Sequence, residues 1–296
     1  IASSLVGSEM CIRDRSYTFS VKIFLEKNLM SQHKALNMFG RSGNPALNNE
    51  TFSSAARSGR SGSGGIQAMS SQTMTLQGTV NKTGILLALV VLSASWTWSM
   101  FFETGNPATV MPIALGGGIV GFILAFVTIF KKEWSGTLAP IYAVAKGLFL
   151  GAISAQFEVM FPGIVIQAVG LTFGTLASLL FLYKTGIVKP TENFKLMIMS
   201  ATMGIGLLYM VSILMSMFGS GGIGFIHSNG LFGIGFSLFV VAIAALNLVL
   251  DFDFIEQGSE MGAPKYMEWF GAFSLVMTLI WLYLEMLRLL AKLRSQ

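Results

Sequence analysis

The chain has 296 residues, 53% of them hydrophobic and only 11% charged, with a mean hydropathy of +0.68. A charged fraction so far below the roughly 25% ordinary for soluble domains points to an integral membrane protein whose first partner is the lipid bilayer. The formal charge of +5 sits between apolar runs and not on one basic face, which argues against nucleic acid and makes the cations topology signals. One cysteine, Cys11, excludes an internal disulfide, and two histidines, His33 and His227, offer no zinc-ligand spacing, so no cofactor is expected.

Residues 1–29 are set aside from the fold. The run from Ser4 to Arg15 reads like a translated sequencing adaptor, Arg13, Asp14 and Arg15 interrupt any signal-peptide core, and the true start is expected at Met30 or Met38. From Gly40 to Gln77 the composition is Ser, Gly, Asn and Arg, which cannot bury enough apolar surface to offset its ordering entropy. The expected layout is an artefactual extension at 1–29, a flexible cytoplasmic tail at 30–81 and a seven-helix transmembrane domain at 82–296.

The apolar segments lie at 83–102, 108–130, 138–160, 163–183, 196–218, 231–254 and 269–291. Each is near the roughly 20 residues that a helix needs to cross about 30 Å of hydrocarbon, and no barrel-like alternation competes with that reading. Among their glycines, Gly147-x-x-x-Gly151 has the strict small-residue spacing that favours close helix approach. The loops after spans one, three and five contain no Lys or Arg, whereas those after spans two and four carry Lys131, Lys132, Lys184, Lys189 and Lys195. The positive-inside rule then places the N-terminus and the even-numbered exits in the cytoplasm. Seven spans leave Arg288, Lys292 and Arg294 toward the outside. A re-entrant loop around 251–268 is the other way to place them, but Glu256, Glu260, Lys265 and Glu268 make that stretch too polar.

Ionisable residues inside the spans are few: Lys146, Asp251, Asp253, Glu285 and Arg288. Each must face protein or water, snorkel, or lose its charge. Asn247, Asp251 and Phe254 share one helix face at i, i+4 and i+7, while Asp253 points about 200° around from Asp251. Asp251 with Asn247 is therefore the interior candidate and Asp253 a boundary charge. Glu285 has Arg288 at i+3, a local anchoring pair. Alternatively it faces Asp251 across spans six and seven, where two close carboxyls cannot both ionise cheaply and would exchange a proton as pH changes. Lys146, about 12 Å into its span by helical rise, is either a counter-ion for a buried carboxylate or an amine snorkelling to the surface.

Several strings carry a resemblance: Asn44-Pro-Ala-Leu47, the run from Thr73 to Gly84, Ile129-Phe-Lys-Lys-Glu-Trp134, the runs from Gly147 to Ser154 and from Leu246 to Gly258, and that from Trp281 to Leu290. Over about residues 44 to 296 the chain resembles the Bax inhibitor-1/YccA (transmembrane BAX inhibitor motif) family in its bacterial branch. The resemblance implies an all-α, seven-transmembrane-helix bundle with a central last helix, acting as a pH-sensitive calcium leak of the inner membrane. It implies as sensor an acidic pair in spans six and seven: Asp251 matches the family's span-six aspartate, and Glu285 stands where related members carry Asp. The family's basic latch in span two has no match, since that span has no Lys or Arg before Lys131, and Lys146 is the candidate substitute. Calcium, as permeant ion, would meet the oxygens of Asp251, Asn247 and Glu285.

The alternative reading is an interaction protein that binds and modulates a membrane-anchored protease or stress-response partner, with residues 40–77 as its handle. An enzyme is not expected. The Gly233-Ile-Gly-Phe236 string lacks the acid an intramembrane aspartyl protease needs, and neither a serine nucleophile elbow nor a helical His pair occurs.

Overall fold

The computed structural model describes residues 73–218, 223, 224, 228 and 230–295. The proposed extension, nearly all of the proposed tail, Cys11, His33 and His227 lie outside the described residues. Seven long helices occupy the described residues: α1 (Leu76–Thr104), α2 (Pro107–Phe130), α3 (Ser135–Met160), α4 (Ile164–Lys184), α5 (Glu192–Met217), α6 (Leu231–Glu260) and α7 (Met267–Arg294). Each is long and apolar enough to cross a membrane, so the all-α, seven-span reading of the sequence holds.

Local chemistry sets the helix ends. Thr75 caps α1 by accepting the Gly78 N–H at 3.0 Å, and Asn106 caps α2 by accepting that of Ala108 at 2.9 Å, with Pro107 at the first helical position. Gly105, at φ 59°, ends α1 in the left-handed conformation that lets the chain turn back within two residues. At the next turn on the same end, the Glu158 carboxylate accepts the N–H groups of Gly163 and Val165, satisfying donors that the start of α4 would otherwise leave open. Helices also outrun their apolar segments. α1 starts at Leu76 and not 83, and α6 continues to Glu260 and not 254, because polar turns extend them at one end.

That end, which carries Lys131, Lys132 and Lys184, is tied together across the bundle. Ser135 Oγ donates to the Tyr266 carbonyl at 3.1 Å and the Met74 N–H to that of Ala263 at 2.6 Å. α7 is the centre: it packs against α1, α3, α4 and α6, and Phe270, Phe273, Val276, Leu282 and Leu287 on it are fully enclosed. The outer helices turn large apolar side chains outward, Leu92, Phe122 and Phe181 among them. A belt of that kind is an aggregation surface in water and a solvated one in lipid.

α1 and α3 touch through their backbones. A Cβ on Gly147 would lie 1.9 Å from Ser93 Oγ, and one on Gly151 2.3 Å from the Ala94 carbonyl oxygen. α6 and α7 form an antiparallel hairpin around Gly262, at φ 68°. Its register is constant: Asp251 meets Thr278, and fourteen residues further along each helix Ser237 meets Lys292.

Candidate functional site

One set of buried polar side chains gathers where α5, α6 and α7 meet. Asp251 is fully buried, and Thr278 Oγ1 donates to its Oδ2 at 2.6 Å. One turn away on the same face, Asn247 is also buried. Its Nδ2 donates to Thr202 Oγ1 at 2.7 Å and to the Ile243 carbonyl at 2.9 Å. A carbonyl only accepts, so that contact fixes which end of the amide is nitrogen. Asn247 Oδ1 is left as a buried acceptor with no donor among the described residues. Leaving such an acceptor unsatisfied costs about 1–3 kcal/mol, which a proton donor or a cation arriving there would recover.

Glu285 belongs to a different cluster. Arg288 Nη1 donates to its two carboxylate oxygens at 2.8 and 2.9 Å, and the Tyr209 hydroxyl donates to Oε1 at 3.1 Å. Arg288 also donates to the Tyr209 oxygen at 2.7 Å and lies 5.3 Å from that ring's centre. The local Glu285–Arg288 pair read from the sequence is thus present, with Tyr209 of α5 as a third member.

The structure does not bring Asp251 and Glu285 together. The hairpin register puts Thr278 opposite Asp251, and Glu285 follows seven residues later, about 10 Å further along α7 at the helical rise. Each carboxylate has its own partners. The acidic pair expected from the resemblance is therefore corrected to two separate levels of one polar column.

Lys146 is corrected as well. Its stem lies against Gly121 of α2, with its ammonium 6.0 Å from the ring centre of Tyr142 and 5.5 Å from that of Phe149. Among the described residues no carboxylate is within ion-pair distance of it. It faces α2 on the far side of α3, where it cannot serve Asp251 as counter-ion. Asp253 sits where the helix-face argument placed it, away from Asp251. It pairs with Lys195 at 2.7 Å and accepts from Gln257 Nε2 at 2.7 Å. Lys195, read from the sequence as a loop cation, is buried in the first turn of α5.

Four groupings escaped the sequence reading. Thr278 partners Asp251. Lys292 donates to the Gly233 carbonyl at 3.0 Å and to Ser237 Oγ at 2.9 Å. Glu268 joins Lys82 and Thr75, tying α7 to the start of α1. Tyr183 donates to Glu256, tying α4 to α6. Counting residues outward from the polar turn between spans six and seven would have found the first of these.

Asp251 with Thr278, Asn247 with Thr202, Glu285 with Arg288 and Tyr209, and Lys292 with Ser237 form a ladder. From Thr278 to Lys292 it covers about 21 Å at the helical rise, most of the roughly 30 Å hydrocarbon thickness. Among the described residues no three His, Cys, Asp or Glu side chains converge, so the ladder offers oxygens at successive levels and not a cage.

Six apolar helices around a buried seventh, with a polar column inside, define a polytopic helical membrane protein. Residues 44–295 match the family model described as Bax inhibitor 1 like, and the chain belongs to that family. Neither the curated proteins nor the solved structures returned a match.

Proposed function

We propose that this chain is a pH-sensitive cation leak of a bacterial inner membrane, with calcium as permeant ion and the N-terminus in the cytoplasm. The observation that carries the reading is the unsatisfied Asn247 Oδ1, buried one helical turn from the Asp251 carboxylate. Hard cations take carboxylate, amide, hydroxyl and carbonyl oxygens, and these two side chains with Thr278 and Thr202 supply three of those kinds in one neighbourhood. Protonation of Asp251 removes the charge that draws a cation to that level, which couples passage to pH. Glu285, held by Arg288 and Tyr209, forms the next level. Family membership supports a role in a membrane.

The test is calcium entry into dye-loaded liposomes holding the purified protein, followed across pH. The expected result is a pH-dependent flux whose pH response disappears in Asp251→Asn and whose amplitude falls in Asn247→Ala. An absent flux, or an Asp251→Asn flux with its pH response intact, would sink the proposal.

A further inference from the structure

On the face of α7 opposite the ladder, a groove of about 350 Å³ runs between α1 and α4, floored by α3 and α7. Its volume is in the roughly 300–1,000 Å³ range of small-molecule sites. Ala94 and Trp98 line one wall, Val169 and Phe173 the other. α1 packs on α3 and α7, and α4 chiefly on α7 and α6, so neither covers the space between them. Val91 on one lip and Phe173 on the other are 55% and 45% exposed, which makes the groove continuous with the lipid-facing belt. From Leu87 to Trp98 it extends about 16 Å along α1 at the helical rise.

Of the hydroxyls in this lining, those of Ser95 and Thr172 donate to carbonyls of their own helices. On the floor the hydroxyls of Ser154 and Tyr283 meet at 2.6 Å. Two hydroxyls carry two protons, and the contact uses one. Neither hydroxyl has another hydrogen-bond partner among the described residues. An O–H donor is therefore held on the floor of an apolar groove, about 9 Å from the end of α3 and about 16 Å from the end of α7.

That position constrains the ligand. A charged oxygen at this depth carries a large desolvation cost, and Glu158, one turn from Ser154 on α3, repels anions. We propose that the groove binds an uncharged long-chain lipid dissolved in the bilayer, its terminal carbonyl oxygen accepting from the Ser154–Tyr283 pair and its chain lying between α1 and α4.

The experiment uses the full chain in phosphatidylcholine nanodiscs with two photoactivatable probes: a long-chain methyl ketone bearing a chain diazirine, and the same chain without oxygen. Cross-linked peptides are mapped by mass spectrometry. The ketone is expected to label 87–98 and 165–173, to be competed by excess 2-pentadecanone, and to lose labelling in Ala94→Trp. Removing one hydrogen bond weakens binding about fivefold, the loss expected in Ser154→Ala/Tyr283→Phe. The double variant changes no backbone contact and is read alongside Ala94→Trp, with thermal unfolding of both as a check on folding. Equal labelling by the two probes with no effect of the hydroxyl variant, or labelling spread evenly over α2 and α5, overturns the proposal.

Discussion

Glu268 and Lys82 lie 186 positions apart and join the first helix to the last. Glu268 is 2% exposed; its Oε1 accepts the N–H of Thr75 at 3.0 Å and its Oγ1 at 2.9 Å, while Oε2 receives the Lys82 ammonium. The Lys82 side chain keeps 15% exposure and lies 5.3 Å from the ring centre of Trp269. Removing one partner of a buried pair costs about 3–5 kcal/mol because a charge is left enclosed. The two ends differ in what they leave behind. Glu268→Gln strands an ammonium that retains water access and an aromatic face, so the loss is expected at about 2–3 kcal/mol. Lys82→Met strands a carboxylate with almost no water access, and about 3–4 kcal/mol is expected. The double variant is expected to cost less than the sum, with a coupling of about 2 kcal/mol. Thermal unfolding in detergent reads these directly, since 1 kcal/mol moves Tm by about 2–4 °C at this chain length. Additive single costs, or costs under about 0.5 kcal/mol each, would refute the reasoning and make the contact an ordinary surface pair.

Gly151→Val drives side-chain atoms into the Ala94 carbonyl, where even a Cβ would be 2.3 Å away. An overpacking loss of about 1–3 kcal/mol is expected, and an unchanged melting temperature would contradict it. Glu158→Ala frees the Gly163 and Val165 N–H groups, so hydrogen exchange is expected to quicken in the first turn of α4 and to stay level elsewhere, with a loss of about 1–2 kcal/mol. Lys146→Met removes an amine whose contacts are aromatic rings. Stability is expected to hold or rise, and any pH response of flux to persist; a lost response would restore Lys146 as counter-ion.

The spans were legible because apolar runs of helical length have one solution in lipid. Their polar extensions were not: Gln77, Asn81 and Lys82 read as tail or edge, yet they are helical once Thr75 caps the turn. The separation of Asp251 from Asp253 was also legible, since 100° per residue fixes which face each takes. What failed was the partner of Asp251. Glu285 is the only carboxylate well inside span seven, so chemistry drew attention to it, but the hairpin turn sets the register and a threonine occupies the facing position. Lys146 failed for a related reason. Depth along a helix says nothing of which neighbour the residue faces, and Gly121 of α2 is what Lys146 meets.

The central place of α7 has a consequence for biosynthesis. Chains emerge N-terminus first, at about 5–20 residues per second, so α1 to α6 enter the bilayer before the helix they pack around exists. Until α7 arrives, Asp251 lacks Thr278, Ser237 lacks Lys292 and Lys82 lacks Glu268. Arrival of α7 then supplies all three partners together, which makes assembly a single late closure and not a stepwise growth.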